Sequence, residues 1–325
     1  MPPMPAIDGL LLLGFGGPTP GCCGRRPPGV CSQKPGCEAE CFVAGILGDN
    51  PARMHRIDEV VSHYVHTGGG FSPYNDLTQA QATALKAELA RRGLDIPVEL
   101  GFRHWKPWTK DGLSALAAKG CTKVGLLILA PHQSSVSWDW YLKHAAEAAE
   151  ALGDASPGLV AVVAPWGTTP GYAAAIAEEL TRATTGWDAA RKAACHLIFT
   201  AHAIPQPVET TSPYRQQFAE TARQAAALAG WSRHAIAFQS QPTDSRVPWS
   251  SPTIEQAIDQ AKAAGATEVL VQPAGFLVDH TEVLFDLDHE AKDHCAQAGL
   301  GYTRATSVHA SPTFIGMLAD GVMGL

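Results

Sequence analysis

Short apolar runs bounded by glycine, proline or polar residues recur along the chain, at 9–15, 98–102, 124–130, 159–164, 196–200, 235–238 and 269–272. Their strand-like length and their content of Leu, Val, Ile and Phe mark them as buried strands. Between many of them lie Ala-rich stretches with helical spacing, at 79–92, 172–185, 214–229 and 254–264. Strands that alternate with helices predict an α/β fold built from right-handed βαβ units with parallel sheets. The number of runs predicts two sheets of about four strands each, flanked by helices, rather than one barrel. The breaker cluster Gly153-Asp-Ala-Ser-Pro-Gly158 places the divide near 150–160, giving domains over 1–155 and 156–310. The segment 311–325 reads as a last helix that returns to the first domain.

The most informative segment begins in the apolar run 269–276 and passes directly into a row of carboxylates. Asp279, Glu282, Asp286 and Glu290 are three, four and four apart, so in a helix they share one face, while Val283, Leu284 and Leu287 supply a packing face. Four like charges on a stripe repel one another. They suit a solvated surface, or a place where a cation or protons are gathered. Position bears on the choice, because in parallel α/β sheets ligands sit beyond the carboxyl ends of the strands. The run 196–200 continues into Ala201-His202-Ala203-Ile204-Pro205, which puts an imidazole at the end of another strand. Together they propose a site of one His with carboxylates. The alternative is a solvated acidic helix face and a His satisfied by local hydrogen bonds.

Composition narrows the partner. The chain has 325 residues, a formal net charge of -7, and 46% hydrophobic against 17% charged residues, the profile of a well-cored globular protein. It has no Lys/Arg-rich run, which argues against nucleic acid and against an electrostatic membrane anchor. The apolar stretch 10–15 is too short to span a bilayer and breaks into Gly16-Gly17-Pro18. A cytoplasmic, monomeric protein with a small-molecule partner is the expectation.

The motifs, taken in order, resemble the ferrochelatases, the chelatases that insert ferrous iron into a porphyrin. Leu11-Leu-Leu-Gly-Phe-Gly-Gly-Pro18 is similar to that family's opening strand and turn. His63-Tyr64, Gly68-Gly69 and Ser72-Pro73-Tyr74-Asn75 resemble its next conserved segment. Gly101-Phe-Arg-His104, Thr200-Ala-His-Ala-Ile-Pro205, Phe238-Gln-Ser240, Pro248-Trp249 and Asp279-His-Thr-Glu282 complete a collinear set over nearly the whole length. Each motif alone is weak. The ordered set is specific, and it implies two Rossmann-like domains of the chelatase kind.

The resemblance implies that His202 and Glu282 are the residues without which metallation fails, the pair that strand-end position had already nominated. Metallation removes two pyrrole protons while a metal ion enters a rigid ring. The catalyst therefore needs proton acceptors and a metal escort beside the macrocycle. A neutral imidazole accepts a proton or binds a borderline metal, and carboxylates carry Fe²⁺. His202 is expected as proton acceptor or metal ligand, and Glu282 with Asp286 as the conduit. The resemblance maps the porphyrin walls to Phe15, Pro18 and Tyr74, with Phe102, Arg103 and His104 following a strand end. Arg103 would meet a propionate. For Phe15 and Phe102 the alternative is ordinary core packing. Two further functions fit the same scaffold: a haem- or porphyrin-binding protein without turnover, and a cobalt or nickel chelatase. Retention of both His202 and Glu282 speaks against the first.

The chain departs from the family most in the Pro- and Gly-rich stretch after its first strand. Cys22, Cys23, Cys31, Cys37 and Cys41 fall there, five of the eight cysteines in the chain. The spacing C-x₇-C-x₅-C-x₃-C matches no standard zinc finger, although four thiolates suffice for Zn²⁺ or a [2Fe-2S] cluster. A metal site, a redox-labile disulfide loop and unliganded thiols all remain open. His132 is one further candidate ligand or a plain loop residue. Cys121, Cys195 and Cys295 read as buried packing residues.

Overall fold

The computed structural model describes residues 6–21, 37–47, 55–242 and 245–325. Eight strands are found among them: β1 (Gly9–Gly14), β2 (Val98–Phe102), β3 (Lys123–Ile128), β4 (Gly158–Val162), β5 (Cys195–His202), β6 (His234–Gln239), β7 (Glu268–Gln272) and β8 (Gly301–Arg304). They form two separate four-stranded sheets, ordered β2-β1-β3-β4 and β6-β5-β7-β8. Every pairing is parallel. Numbered from its own first strand, each sheet has the order 2-1-3-4, so the halves repeat one topology without an evident sequence repeat.

The chain divides into two compact units. The first comprises Met1–Leu129, Trp140–Ala164 and Ala319–Leu325, and the second Ala130–Asp139 and Pro165–Leu318. The breaker near residue 155 is a short 3₁₀ turn, Gly153–Ala155, that feeds β4. Because β4 pairs with β3, the first sheet continues past that turn. The last helix, Pro312–Met323, begins in the second unit and ends in residues of the first.

Burial explains which strands the apolar pattern revealed. All six residues of β1 are buried, as expected of a central parallel strand covered on both faces. The edge strand β4 alternates exposed and half-buried positions, and β8, Gly-Tyr-Thr-Arg, buries none of its residues fully. An edge strand of that composition carries no apolar run, which is why the sequence reading lists seven strands. Helices cover the faces with their small residues. Tyr214–Leu228 buries Tyr214, Phe218, Thr221, Ala222, Ala225 and Ala226, a stripe at helical spacing. Among the described residues, no helix is long and apolar enough to cross a membrane.

Candidate active site

In the second unit, β5 and β7 are the central neighbours, and the chain leaves β5 for β6 on one side before it returns to β7 on the other. In open parallel sheets such a reversal is where a crevice is expected, beyond the carboxyl ends of the two strands. His202 is the last residue of β5, and the segment after Gln272 leaves β7 there. Gly275 lets this segment pass close to β5. Its N–H donates to the Thr200 carbonyl at 2.9 Å, and a Cβ on it would sit 2.4 Å from Ala201 Cβ and 2.6 Å from Ala201 Cα.

The crevice brings His202 and Glu282 together, with Nε2 3.8 Å from Oε2. Both side chains are part-exposed, at 39% and 35%. His202 Nδ1 lies 2.5 Å from the Ala203 carbonyl oxygen, an acceptor only, so the ring proton sits on Nδ1. In that tautomer Nε2 offers a lone pair toward a carboxylate oxygen at more than hydrogen-bond range. Two electron-pair donors that face each other in this way define a position for a proton or a metal ion.

Glu282 is fixed by its own helix start. His280 is the N-cap of the helix Thr281–Phe285, and its Nδ1 accepts the Glu282 N–H at 3.3 Å. Burial lowers the His280 pKa, which keeps the ring neutral and able to accept. The Glu282 carbonyl takes a bond from Gln239 Nε2 at 3.2 Å.

Past Phe285 the helix widens into a π-helix, Asp286–Ala291, before α geometry resumes at Lys292–Ala298. Val283, Leu287, Ala291 and Cys295 are all fully buried in one core cluster. In a plain α-helix, residues four apart drift by about 40° per step, and the slower rotation of the π segment takes some of that back. Asp286 is consequently turned inward, 6% exposed, where Ser240 Oγ and Gln239 Nε2 (3.1 Å) donate to its Oδ2. Ser240 adopts φ 63°, an uncommon left-handed conformation for serine, at the end of β6. Burial drives the Asp286 pKa well above the carboxylate range. The negative charges of Glu282 and Glu290 push the same way, and the bonds from Ser240 and Gln239 only partly oppose them. The site thus favours the protonated form of Asp286 beside Glu282.

The expected four-residue stripe is split. Asp279 precedes the helix, so helical spacing does not apply to it. It is bound by Arg304 Nη1 at 3.0 Å, the Ser307 N–H at 2.9 Å and His309 Nε2 at 3.3 Å. Burial alone would raise its pKa, but these partners outweigh it and hold the carboxyl well below its usual range. Glu290 is exposed.

The predicted porphyrin-wall residues belong to the first unit: Phe15, Phe102, Arg103 and His104 at the carboxyl ends of β1 and β2, and Tyr74 at the start of the helix Tyr74–Arg91. The Phe15 and His104 rings lie 4.4 Å apart between centroids, and the His104 N–H donates to the Phe15 carbonyl at 2.9 Å. Arg103 stands over the Trp140 ring at 4.9 Å, and burial lowers the pKa of its guanidinium. Phe102 is 1% exposed, and its ring meets Tyr74 edge-on at 5.8 Å. The Tyr74 hydroxyl accepts the Phe15 N–H at 2.9 Å, and Asn75 Oδ1 accepts the Gly17 N–H at 2.9 Å. Tyr74, Asn75 and Phe102 thus brace the turn after β1, which carries Phe15, while Arg103 and His104 follow β2 beside it.

Cys22, Cys23 and Cys31 lie outside the described residues. Cys37 is half-buried and Cys41 is packed in a cluster with Phe42, Tyr64 and Trp105. Among the described residues, no group of three or more His, Cys, Asp or Glu side chains is placed to hold a resident metal ion. His132 is fully inside, its Nε2 3.0 Å from Thr221 Oγ1, and burial pushes its pKa down to about 3. Sequence reasoning did not assign roles to Gln239, Ser240, Trp140 or Arg304. The Phe238-Gln-Ser240 motif was the available signal for the first two.

The chain is similar to known proteins in sequence and in fold. The family model described as ferrochelatase matches residues 38–324. A coproporphyrin III ferrochelatase of Nocardia farcinica is 31% identical over 317 residues, covering 95% of this chain and 85% of that protein. One of Mycobacterium tuberculosis is 30% identical over 320 residues, covering 98% and 85%. In fold, the chain is similar to the sirohydrochlorin chelatase SirB of Bacillus subtilis subspecies spizizenii in complex with cobalt. The TM-score is 0.55 at 11% identity, covering 97% of this chain and 93% of that one. SirB from Bacillus subtilis with Fe³⁺ gives 0.59 at 10% identity with the same coverage. The extent of the family match and the level of identity to these relatives together establish that the chain belongs to the ferrochelatase family, the enzymes that insert iron into a porphyrin.

Proposed function

We propose that this chain inserts Fe²⁺ into coproporphyrin III, with His202 and Glu282 as the catalytic pair. The observation that carries the assignment is the 3.8 Å approach of His202 Nε2 to Glu282 Oε2 while Nδ1 is anchored on Ala203. An imidazole held in this tautomer presents its basic nitrogen without reorganising, which suits it to take a pyrrole proton or to hand over the metal. Glu282 supplies an anionic oxygen ligand with fast exchange for Fe²⁺, the metal ion being a substrate here. Asp286 sits one helical turn from Glu282, and burial with the charges of Glu282 and Glu290 raises its pKa. It continues the conduit behind Glu282, and its raised pKa makes it a weaker anionic ligand than an ordinary carboxylate. The part-exposed Phe15 ring offers apolar contact for the macrocycle, backed by the His104 ring tilted 48° to it, and Arg103 offers a guanidinium for a propionate.

The choice of coproporphyrin III is supported by the relatives that bear that name, at about 30% identity over most of the chain. It is tested by following anaerobic metallation in the ultraviolet–visible spectrum with Fe²⁺ and either coproporphyrin III or protoporphyrin IX. The expected result is faster growth of the haem spectrum with coproporphyrin III. Turnover confined to protoporphyrin IX would overturn the assignment of substrate.

A further inference from the structure

We infer that Arg304 and Tyr302, on the edge strand β8, are positioning residues for the metallation site, acting as a clamp on the π-helical segment. The inference rests on the roles given above to Glu282 and Asp286. Those two residues lie inside the segment 279–288, and one guanidinium holds both of its ends. Arg304 Nη1 donates to Asp279 Oδ2 at 3.0 Å, while Nε and Nη2 donate to Asp288 Oδ1 and Oδ2 at 2.6 and 2.8 Å. The Arg304 and Asp279 side chains are each only 12% exposed, so the pair is shielded from solvent. Between these anchors the Tyr302 hydroxyl donates to the Leu287 carbonyl at 2.7 Å, inside the π-helix. Burial, with the Asp288 charge, raises the Tyr302 pKa and keeps that hydroxyl a donor.

The clamp does two things. Bidentate pairing with Asp288 fixes the rotation of the π turn, and with it the direction in which Asp286, two residues earlier, points toward Ser240. Pairing with Asp279 and Asp288 also offsets one of the two negative charges that flank Glu282 and Asp286. Neither Arg304 nor Tyr302 contacts His202 or Glu282 in the bonds that define the site. They act through the segment they hold, as outer-shell groups do around metal ligands.

The test uses the full chain with Tyr302→Phe, Arg304→Met and Arg304→Lys, and Glu282→Gln in parallel. Steady-state metallation, porphyrin affinity from fluorescence quenching and the thermal midpoint are measured for each. Tyr302→Phe removes one hydrogen bond and keeps the ring, so it guards against simple misfolding of the arginine variants. The expected result is a fall in kcat of roughly 10- to 100-fold for Tyr302→Phe and Arg304→Met, with porphyrin KM and affinity within about twofold, and partial recovery in Arg304→Lys. Full kcat in folded Tyr302→Phe and Arg304→Met, with Glu282→Gln inactive, would overturn the clamp and leave the catalytic pair standing. A kcat that tracks only the folded fraction would overturn it as well. Full turnover by Glu282→Gln would overturn both readings.

Discussion

Replacing Asp286 with Asn should change the pH dependence of stability in a direction fixed by the site. In the native protein Asp286 is 6% exposed, and burial together with Glu282 and Glu290 raises its pKa well above 3.8. In the unfolded chain the same group titrates near the ordinary value of about 3.9. The folded state therefore binds the extra proton, and its stability falls as pH rises from about 4 through the folded pKa. Over that interval the slope from this one group is about 1.4 kcal/mol per pH unit. Asn is the neutral isostere of the protonated acid. Its oxygen can still accept from Ser240 and Gln239, so packing and hydrogen bonds persist while the titration disappears. Urea unfolding of both proteins at a series of pH values from 4 to about 8 reads the difference. The variant should match the native protein near pH 4 and gain on it at up to the slope above as pH rises. Parallel stability curves, or a variant weaker by a constant amount, would refute the argument that Asp286 is held protonated by its surroundings.

Other consequences follow from the same geometry. Gly275→Ala forces a Cβ to within 2.4 Å of Ala201 Cβ, so it should cost at least about 1–3 kcal/mol in denaturant unfolding and lower metallation by displacing the strand end that bears His202. Tyr74→Phe removes the acceptor of the Phe15 N–H and should cost about 1–3 kcal/mol in the same assay; an unchanged midpoint would show that the hydroxyl does not brace the turn. Arg103→Ala should raise the KM for coproporphyrin III about tenfold or more with little change in kcat, the loss expected of one charge-assisted contact, and an unchanged KM would remove Arg103 from the porphyrin site.

Much of the arrangement was legible because parallel sheets write their centres into the sequence. Strands buried on both faces, such as β1 and β7, appear as uninterrupted apolar runs. The positions just after such strands pointed to His202 and Glu282 before any geometry was known. What escaped the sequence depends on tertiary placement. β8 has no apolar run, and its two functional side chains, Tyr302 and Arg304, acquire meaning only where β8 lies beside β7. Asp279 has helical spacing from Glu282 but lies outside the helix, since His280 is its N-cap. The π-helix that buries Asp286 is a change of hydrogen-bond register, which residue spacing alone does not reveal. Tyr74 and Phe102 match the family motifs read as porphyrin walls. Their contacts with each other, and the bond between Tyr74 and Phe15, brace the turn that carries Phe15.

The central claim is that His202 and Glu282 perform metal insertion as a pair, and a single-turnover experiment addresses it most directly. Fe²⁺ is added anaerobically to the porphyrin-loaded native protein and to His202→Ala and Glu282→Gln variants, and the haem spectrum is followed while fluorescence reports bound porphyrin. The account expects both variants to bind porphyrin and neither to metallate it at more than a small fraction of the native rate. Native-rate metallation by either variant would contradict it.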